Sequence, residues 1–129
     1  MDRFDAFITF CYTTDLEKTA SFYEDLLELP LIMNQGGCRI YRVADSGYIG
    51  VCGRGDAEEP KGLILTLVTD NVDGWFEKLE AAGTEVEKAP TLNPEYGIYH
   101  CFLRDPAGYR VEIQRFDNPE WDSHKGESA

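Results

Sequence analysis

The feature that constrains this chain most is an internal repeat. A β-rich stretch at 7–14 is followed by an amphipathic helix pattern at 14–29 and by three short strand patterns. The same order returns with an apolar strand at 62–69, a helix pattern at 70–83 and three more strands. Leu16 aligns with Val72 at an offset of 56 residues, and Gly47 aligns with Gly108 at an offset of 61. A β-α-β-β-β unit that appears twice predicts two structurally similar modules.

Turn and capping residues set the predicted boundaries of these elements. Thr14 and Glu17 form a capping box at the start of the first helix, and Gly83 is a C-cap for the second. The remaining predicted strands are 31–35, 38–43 and 48–54 in the first repeat and 84–90, 97–104 and 109–116 in the second. Asp105 begins an Asp-Pro-Ala-Gly turn, where its carboxylate is expected to accept hydrogen bonds from the following backbone amides. We therefore assign Asp105 a structural role.

Composition excludes several classes of function. The 129 residues fit one domain, and the absence of an apolar run of about 18 residues predicts no membrane span. The N-terminal residues do not resemble a signal peptide, so we expect a cytoplasmic protein. With 12 basic and 24 acidic residues the net charge is -12, which argues against nucleic-acid binding. This acidity either keeps the chain soluble or favours a cationic ligand.

The four cysteines, at positions 11, 38, 52 and 101, form no Cys-x-x-Cys pair. A structural zinc site is therefore not expected. Because disulfides are uncommon in cytosolic proteins, we expect these thiols to be buried and reduced.

Residues 117–129 are polar and lack hydrophobic periodicity. They are expected to form a frayed C-terminal tail. Trp121 is the residue that would dock this tail onto the body of the protein or onto a partner chain, and His124 is expected to be solvated.

Two phrases carry a family resemblance, "DLEKTASFYEDLLEL" after the first strand and "DPAGYRVEI" near the end. With the repeat, they make residues 5–116 resemble the vicinal oxygen chelate superfamily, which includes glyoxalase I, bleomycin-resistance proteins and extradiol dioxygenases. The resemblance implies an α+β fold in which two βαβββ modules form an open, cup-shaped mixed sheet with helices outside. It implies one domain at 1–116, with modules at 1–57 and 58–116, followed by the tail at 117–129. It also implies a homodimer.

Metal-dependent members of this superfamily place a His or Gln in the first strand and a Glu in the last strand of each module. Glu112 matches the late position of the second module. The early positions fall on Ile8 and Ile64, and the late position of the first module falls on Val51, or on Gly50 or Cys52 after a one-residue slip. Because apolar side chains cannot coordinate a metal, we expect no cofactor and disfavour a divalent ion.

Strand alternation then predicts which side chains line the cup. With Glu112 facing inward, Arg110 and Gln114 face the same way, and Val111 and Ile113 pack under the helices. The family pattern adds His100 and Phe102 from the neighbouring strand. The other predicted cup residues are Ile8, Phe10, Tyr12, Arg39, Tyr41, Val51, Ile64, Thr66 and Val68.

From this set we predict a site for a small molecule. Glu112 and His100 are the candidate catalytic residues. The candidate ligand-binding residues are Phe10, Tyr12, Arg39, Tyr41, Thr66, Phe102 and Gln114. Structural alternatives stay open: Glu112 pairing with Arg110 or Arg39, and His100 bonding to a backbone carbonyl.

Three kinds of function follow from these residues. The first is a metal-independent protein that binds a small molecule, such as a drug or metabolite, as bleomycin-resistance proteins or ligand sensors do. The second is a metal-independent lyase or isomerase in which His100 and Glu112 act as acid and base. The third is a metal-dependent glyoxalase or dioxygenase.

Overall fold

The computed structural model describes residues 3–125. The strands are β1 (Phe7–Thr13), β2 (Leu31–Asn34), β3 (Cys38–Ala44), β4 (Gly47–Gly53), β5 (Ile64–Val68), β6 (Glu85–Asn93), β7 (Ile98–Arg104) and β8 (Arg110–Phe116). The helices are α1 (Leu16–Ser21), which continues into a π-helical segment (Phe22–Leu26), α2 (Val72–Ala81) and α3 (Pro119–Lys125). Each predicted strand and helix is confirmed to within a few residues at its ends.

The two modules have the same sheet topology. The first sheet has the order β1-β4-β3-β2 and the second has the order β5-β8-β7-β6. In each, the first and last strands of the module pair in parallel and the other pairs are antiparallel. This confirms the predicted α+β fold of two βαβββ modules, each with an open, mixed, four-stranded sheet.

The chain divides into two compact units that do not follow the modules completely. The first unit contains the described residues up to Gly62 together with the turn Asp105–Tyr109. The second contains Leu63–Arg104 and the described residues from Arg110 onward. The turn between β7 and β8 is therefore part of the first unit.

In the first unit, α1 begins at a different cap from the predicted one. The side chain of Asp15, and not that of Thr14, accepts a hydrogen bond from the backbone N–H of Lys18 at 3.1 Å. The helix and its π-helical continuation bury Ala20 and Tyr23. The hydroxyl of Tyr23 donates to Oδ2 of Asp105 at 2.6 Å, which holds the turn against the helix.

The Asp105 turn has the predicted structure. Its Oδ1 accepts hydrogen bonds from the backbone N–H groups of Ala107 and Tyr109, both at 2.9 Å. Burial raises the pKa of Asp105 above its ordinary value, against the opposing effect of the Tyr23 hydroxyl and these amides. The structural role expected from the sequence is confirmed, and the contact with Tyr23 is new.

Three residues of the first sheet that were predicted to line the cup lie on the opposite face of the sheet. Arg39, Tyr41 and Val51 face the helix layer: Arg39 pairs with Glu17 on α1, and the Tyr41 hydroxyl donates to Glu24 at 3.1 Å. The reason is an alignment error of one residue, which moves every side chain of a strand to the other face.

The pairings between strands give the correct alignment. In the first sheet Phe10 lies beside Gly50, as Thr66 lies beside Glu112 in the second. Gly50 is therefore the counterpart of Glu112, at an offset of 62 residues rather than 61.

The cysteines also differ in part from the prediction. Cys38 and Cys52 form a disulfide, because the β3–β4 register places them directly opposite each other with their Cα atoms 4.1 Å apart. Cys11 and Cys101 are buried free thiols, as expected. Burial raises the pKa of Cys11 to about 12 and that of Cys101 to about 11, so neither is a reactive thiolate at neutral pH.

In the second unit, α2 packs against β6, β7 and β8. Asn71 caps its N-terminus, and Gly83 follows its C-terminus with a φ of +86°, which confirms the predicted C-cap. The buried positions Val72, Phe76 and Leu79 of the helix follow the predicted apolar face. Val111 and Ile113 of the sheet are buried as expected.

The C-terminal region corrects the expectation of a frayed tail. Residues Pro119–Lys125 form a helix, and Trp121 stacks on Phe116 with 4.4 Å between ring centroids. Stacking on an aromatic ring of β8 explains why a polar segment without periodicity is ordered. His124 is exposed, as predicted, with its ring 4.7 Å from that of Trp121. The end of the predicted tail, 126–129, lies outside the described residues.

None of the helices within residues 3–125 has the length and apolar character needed to cross a lipid bilayer.

Candidate functional site

Glu112 lies in the middle of β8, which is an inner strand of the second sheet with β5 on one side and β7 on the other. Its side chain points to the sheet face opposite α2, together with those of Arg110 and Gln114. Only 7% of Glu112 is exposed, so its carboxylate needs hydrogen-bond donors to compensate for lost hydration. We call this side of the second sheet the open face.

Three neighbouring side chains supply those donors. Thr66 of β5 donates to Oε1 at 2.7 Å. Nδ1 of His100 on β7 lies 2.7 Å from Oε2. The side-chain amide of Gln114 is oriented so that its N–H donates to Oε2 of Glu112, with the nitrogen 2.7 Å from that oxygen. The strand pairings Thr66–Glu112 and His100–Gln114 bring these four side chains together.

The hydrogen bond to Glu112 fixes the role of each ring nitrogen of His100. Because an ionised carboxylate only accepts hydrogen bonds, Nδ1 carries the proton, and in the neutral ring Nε2 keeps a lone pair. Nε2 lies 3.5 Å from Nζ of Lys88, a cation that can donate to it. His100 is only 4% exposed, and its ring meets the edge of Phe102 at 5.0 Å. A buried, carboxylate-oriented imidazole of this kind can accept a proton at Nε2.

Lys88 is the site residue that sequence reasoning missed. It lies on β6, where the pairing with β7 shifts register on both sides of Lys88. Such β-bulges re-aim side chains, so strict alternation along the strand does not predict the direction of Lys88. Two successive register shifts leave no simple signal in the sequence.

The open face also carries a charged cluster beside Phe102. Arg110 forms two hydrogen bonds with Glu87, at 2.6 and 3.0 Å, and Arg104 pairs with the same carboxylate at 3.1 Å. These two guanidinium groups lower the pKa of Glu87, with Arg110 having the larger effect. Arg110 lies 5.3 Å from the Phe102 ring centroid.

The proposed structural partners of Glu112 are therefore wrong. Arg110 is bound to Glu87, and Arg39 is bound to Glu17 in the first unit. His100 bonds to the Glu112 carboxylate instead of the expected backbone carbonyl.

The structure separates the remaining candidates into two groups. Thr66, His100, Phe102, Glu112 and Gln114 share the open face of the second sheet. In the first unit, Phe10 and Tyr12 share a face of β1 and are 46% and 43% exposed, whereas Arg39 and Tyr41 lie on the opposite face of their sheet. The ring of Tyr12 lies under the guanidinium of Arg54, 4.9 Å from its centroid.

The donor set does not fit the divalent metal centre of the family. Gly50 stands where the first module would supply a carboxylate, and the Phe10 ring fills the space that a side chain there would need. Ile8 and Ile64 carry no ligand atoms, and both oxygens of Glu112 already accept hydrogen bonds. Within residues 3–125 no three His, Cys, Asp or Glu side chains are grouped to hold a metal ion.

Comparison with protein families gives a match over most of the chain. Residues 6–113 match the model of the Glyoxalase/Bleomycin resistance protein/Dioxygenase superfamily. The chain belongs to this superfamily. The matched range covers both modules and ends one residue after Glu112. No curated protein matches the chain.

Solved structures of this superfamily have the same fold. A lactoylglutathione lyase from Agrobacterium tumefaciens is 25% identical, with a TM-score of 0.66 over 84% of this chain and 90% of that one. A glyoxalase/bleomycin resistance protein from Albidiferax ferrireducens T118 is 24% identical, with a TM-score of 0.70 over 84% and 95%. A glyoxalase-related enzyme from Fulvimarina pelagi is 19% identical, with a TM-score of 0.74 over 87% and 86%.

Proposed function

We propose that this superfamily member binds a small molecule on the open face of the second sheet, without the divalent metal typical of its family. The observation that carries the proposal is the hydrogen-bonded group of Thr66, His100, Glu112 and Gln114 in a sheet centre. Exposed apolar side chains of the same face, Ile64 and Val68, lie next to it on β5. Apolar walls around a few convergent polar groups are typical of small-molecule sites.

We expect no metal because both carboxylate oxygens of Glu112 already accept hydrogen bonds. A metal ion would have to displace Thr66 from Oε1 or His100 from Oε2. The loss of either hydrogen bond to a buried carboxylate costs about 1.5–3 kcal/mol. A single carboxylate gives a divalent ion too few protein ligands to repay this.

Two measurements on the full chain test this proposal. Elemental analysis of protein purified without chelator is expected to find metal far below one equivalent. Screening of small polar compounds by amide NMR is expected to shift resonances of β5, β7 and β8. One equivalent of bound metal that Glu112→Gln removes would refute the metal-free site, and shifts confined to the first unit would refute its location.

The His100–Glu112 pair favours a second candidate, a metal-independent lyase or isomerase. Its Nδ1–Oε2 distance of 2.7 Å is that of a carboxylate that orients an imidazole base. The 25% identical lactoylglutathione lyase supports a lyase or isomerase. Such chemistry begins when Nε2 removes a proton next to a carbonyl group.

Hydrogen–deuterium exchange of hydroxyacetone in D₂O tests for this proton abstraction. The wild-type chain is expected to accelerate exchange next to the carbonyl, and His100→Gln is expected to abolish the acceleration. His124→Gln, which changes the exposed histidine of α3, is the matched control. Equal rates for wild-type protein and His100→Gln would exclude the enzyme.

The homodimer implied by the resemblance stays a prediction. Sedimentation equilibrium of the full chain tests it, because a dimer has twice the mass expected from the sequence.

A further inference from the structure

Lys88 is a cation without a carboxylate partner in the part of the chain that the structure describes. Its ammonium group contacts Nε2 of His100, at 3.5 Å. The other basic residues of the open face differ, because Arg104 and Arg110 both bind Glu87. An ammonium group has three donors, and the imidazole can take only one of them.

The buried acid beside Lys88 does not neutralise it directly. Glu112 already accepts from Thr66, His100 and Gln114, and Lys88 reaches it only through the His100 ring. The open face therefore presents the ammonium of Lys88, which has donors beyond the one that Nε2 of His100 can accept.

Local charge on this part of the face is opposite to that of the whole chain. Arg104, Arg110 and Lys88 supply three positive charges, and the carboxylates of Glu87 and Glu112 supply two negative ones, so one positive charge remains. The chain as a whole has a formal net charge of -12. A local excess of cations on an acidic protein favours an anionic ligand at that position.

We propose that Lys88 is the ligand-binding cation of the site and that the ligand is a small carboxylate with a hydroxyl on the adjacent carbon. The carboxylate accepts from Nζ of Lys88, and the hydroxyl donates to Nε2 of His100 in place of the ammonium. Both functions are needed because the site offers one donor and one acceptor side by side, 3.5 Å apart. This inference rests on the proposed small-molecule site and assigns its ligand class.

Glycolate is the smallest probe with both groups. Its controls are glycolamide, which keeps the hydroxyl but has no charge, and acetate, which keeps the charge but has no hydroxyl. Titrations followed by ¹⁵N NMR of the imidazole nitrogens report binding at His100 directly. The variants are Lys88→Gln and, as a matched loss of one positive charge, Lys18→Gln on the exposed side of α1.

We expect glycolate to shift Nε2 of His100 in the wild-type chain and in Lys18→Gln. Lys88→Gln is expected to weaken glycolate binding about tenfold, the effect of losing one charge-assisted hydrogen bond. Glycolamide and acetate are each expected to bind more weakly than glycolate.

The outcomes separate this inference from the proposed site. Equal glycolate affinity of wild-type protein and Lys88→Gln, or tighter binding of glycolamide, would overturn the assignment of Lys88 and leave the site intact. If none of the three probes shifts His100, and the compound screen shifts no residue of this face, both the inference and the proposed site fail.

Discussion

The two units carry side chains of different character at the same four positions of their sheets. In the second unit they hold Thr66, His100, Glu112 and Gln114, joined by hydrogen bonds. Their counterparts in the first unit are Phe10, Cys38, Gly50 and Cys52, where a phenyl ring covers a glycine and a disulfide joins the other two. One repeat therefore has a polar cluster where the other has an apolar, cross-linked surface.

The opposite faces of the two sheets differ much less. Ile49, Val51 and Tyr41 of the first sheet are buried, and so are their counterparts in the second. Those counterparts, at the offset of 62 residues, are Val111, Ile113 and Leu103. The side chains of the face under the helix form the core that both units need. The side chains of the other face can differ between the units without loss of the fold. Function is expected where the two repeats differ.

The sharpest test of this comparison copies the carboxylate of the second unit into the first. Gly50→Glu is expected to destabilise the chain by about 4 kcal/mol, because its side chain overlaps the Phe10 ring and brings a buried charge without donors. Urea unfolding measures the change. Phe10→Thr in the same chain is expected to restore part of the stability, because threonine recreates the Thr66–Glu112 arrangement.

Gly47→Glu is the matched control, since no atom lies near a β-carbon at that position of the same strand. It is expected to change stability by less than about 0.5 kcal/mol. Equal effects of the two substitutions would contradict the packing of Phe10 on Gly50.

Removal of the disulfide tests the other half of the comparison. The Cys38→Ala/Cys52→Ala chain is expected to lose about 3 kcal/mol, because the bond closes a loop between residues 14 apart in sequence. Thermal unfolding with and without dithiothreitol measures this. The reductant should destabilise the wild-type chain and leave the double variant unchanged.

A thiol count provides the decisive control for this prediction. Denatured wild-type protein without reductant is expected to show only the thiols of Cys11 and Cys101. Four titratable thiols would show that Cys38 and Cys52 are reduced.

Glu112→Gln tests the polar cluster of the second unit. It is expected to lower the free energy of unfolding by about 2 kcal/mol, since three donors lose a charged acceptor in a buried setting. Chemical denaturation measures the effect. Glu58→Gln, at an exposed glutamate, is the control and should be neutral. A neutral Glu112→Gln would mean that the cluster contributes nothing to the fold.

The smallest expected effect concerns Asp105, which accepts a hydrogen bond from Tyr23 in the first unit. The second unit has no equivalent of this hydrogen bond, because the counterpart of Tyr23, 56 residues later, is Leu79. Because the folded-state pKa of Asp105 is raised by burial, its contribution to stability is present below the unfolded pKa and decreases as pH rises through the folded pKa. The wild-type chain should therefore lose stability relative to Asp105→Asn as the pH is raised from about 4 to about 7.

Unfolding curves of both chains across this pH range measure that difference. Asp122→Asn, at an exposed aspartate of α3, is the control. A wild-type advantage that grows with pH would show that the hydrogen bonds of Asp105 outweigh its burial.

The sequence predicted the fold well because the repeat, the turn and the helix faces are all local patterns. It also placed His100, Phe102 and Gln114 on the same face as Glu112, since alternation along regular strands is reliable. The errors arise where local pattern is insufficient. One residue of misalignment sent Arg39 and Tyr41 to the wrong face.

Other parts of the site depended on contacts between distant residues. The disulfide follows from the register of β3 and β4, which no cysteine spacing reveals. Lys88 depends on two β-bulges, and the order of α3 depends on the stacking of Trp121 on Phe116. None of these has a signal within a short window of sequence.

The turn of the second module has a consequence for the repeat as a whole. A peptide that ended at Gly62 would contain Tyr23 but not the carboxyl group that its hydroxyl binds. It would also lack the Tyr109 hydroxyl, which accepts from the Tyr12 backbone at 2.9 Å. A half-length chain could form these two hydrogen bonds only with the turn of another chain. Duplication within one gene keeps the turn in the same chain as Tyr12 and Tyr23.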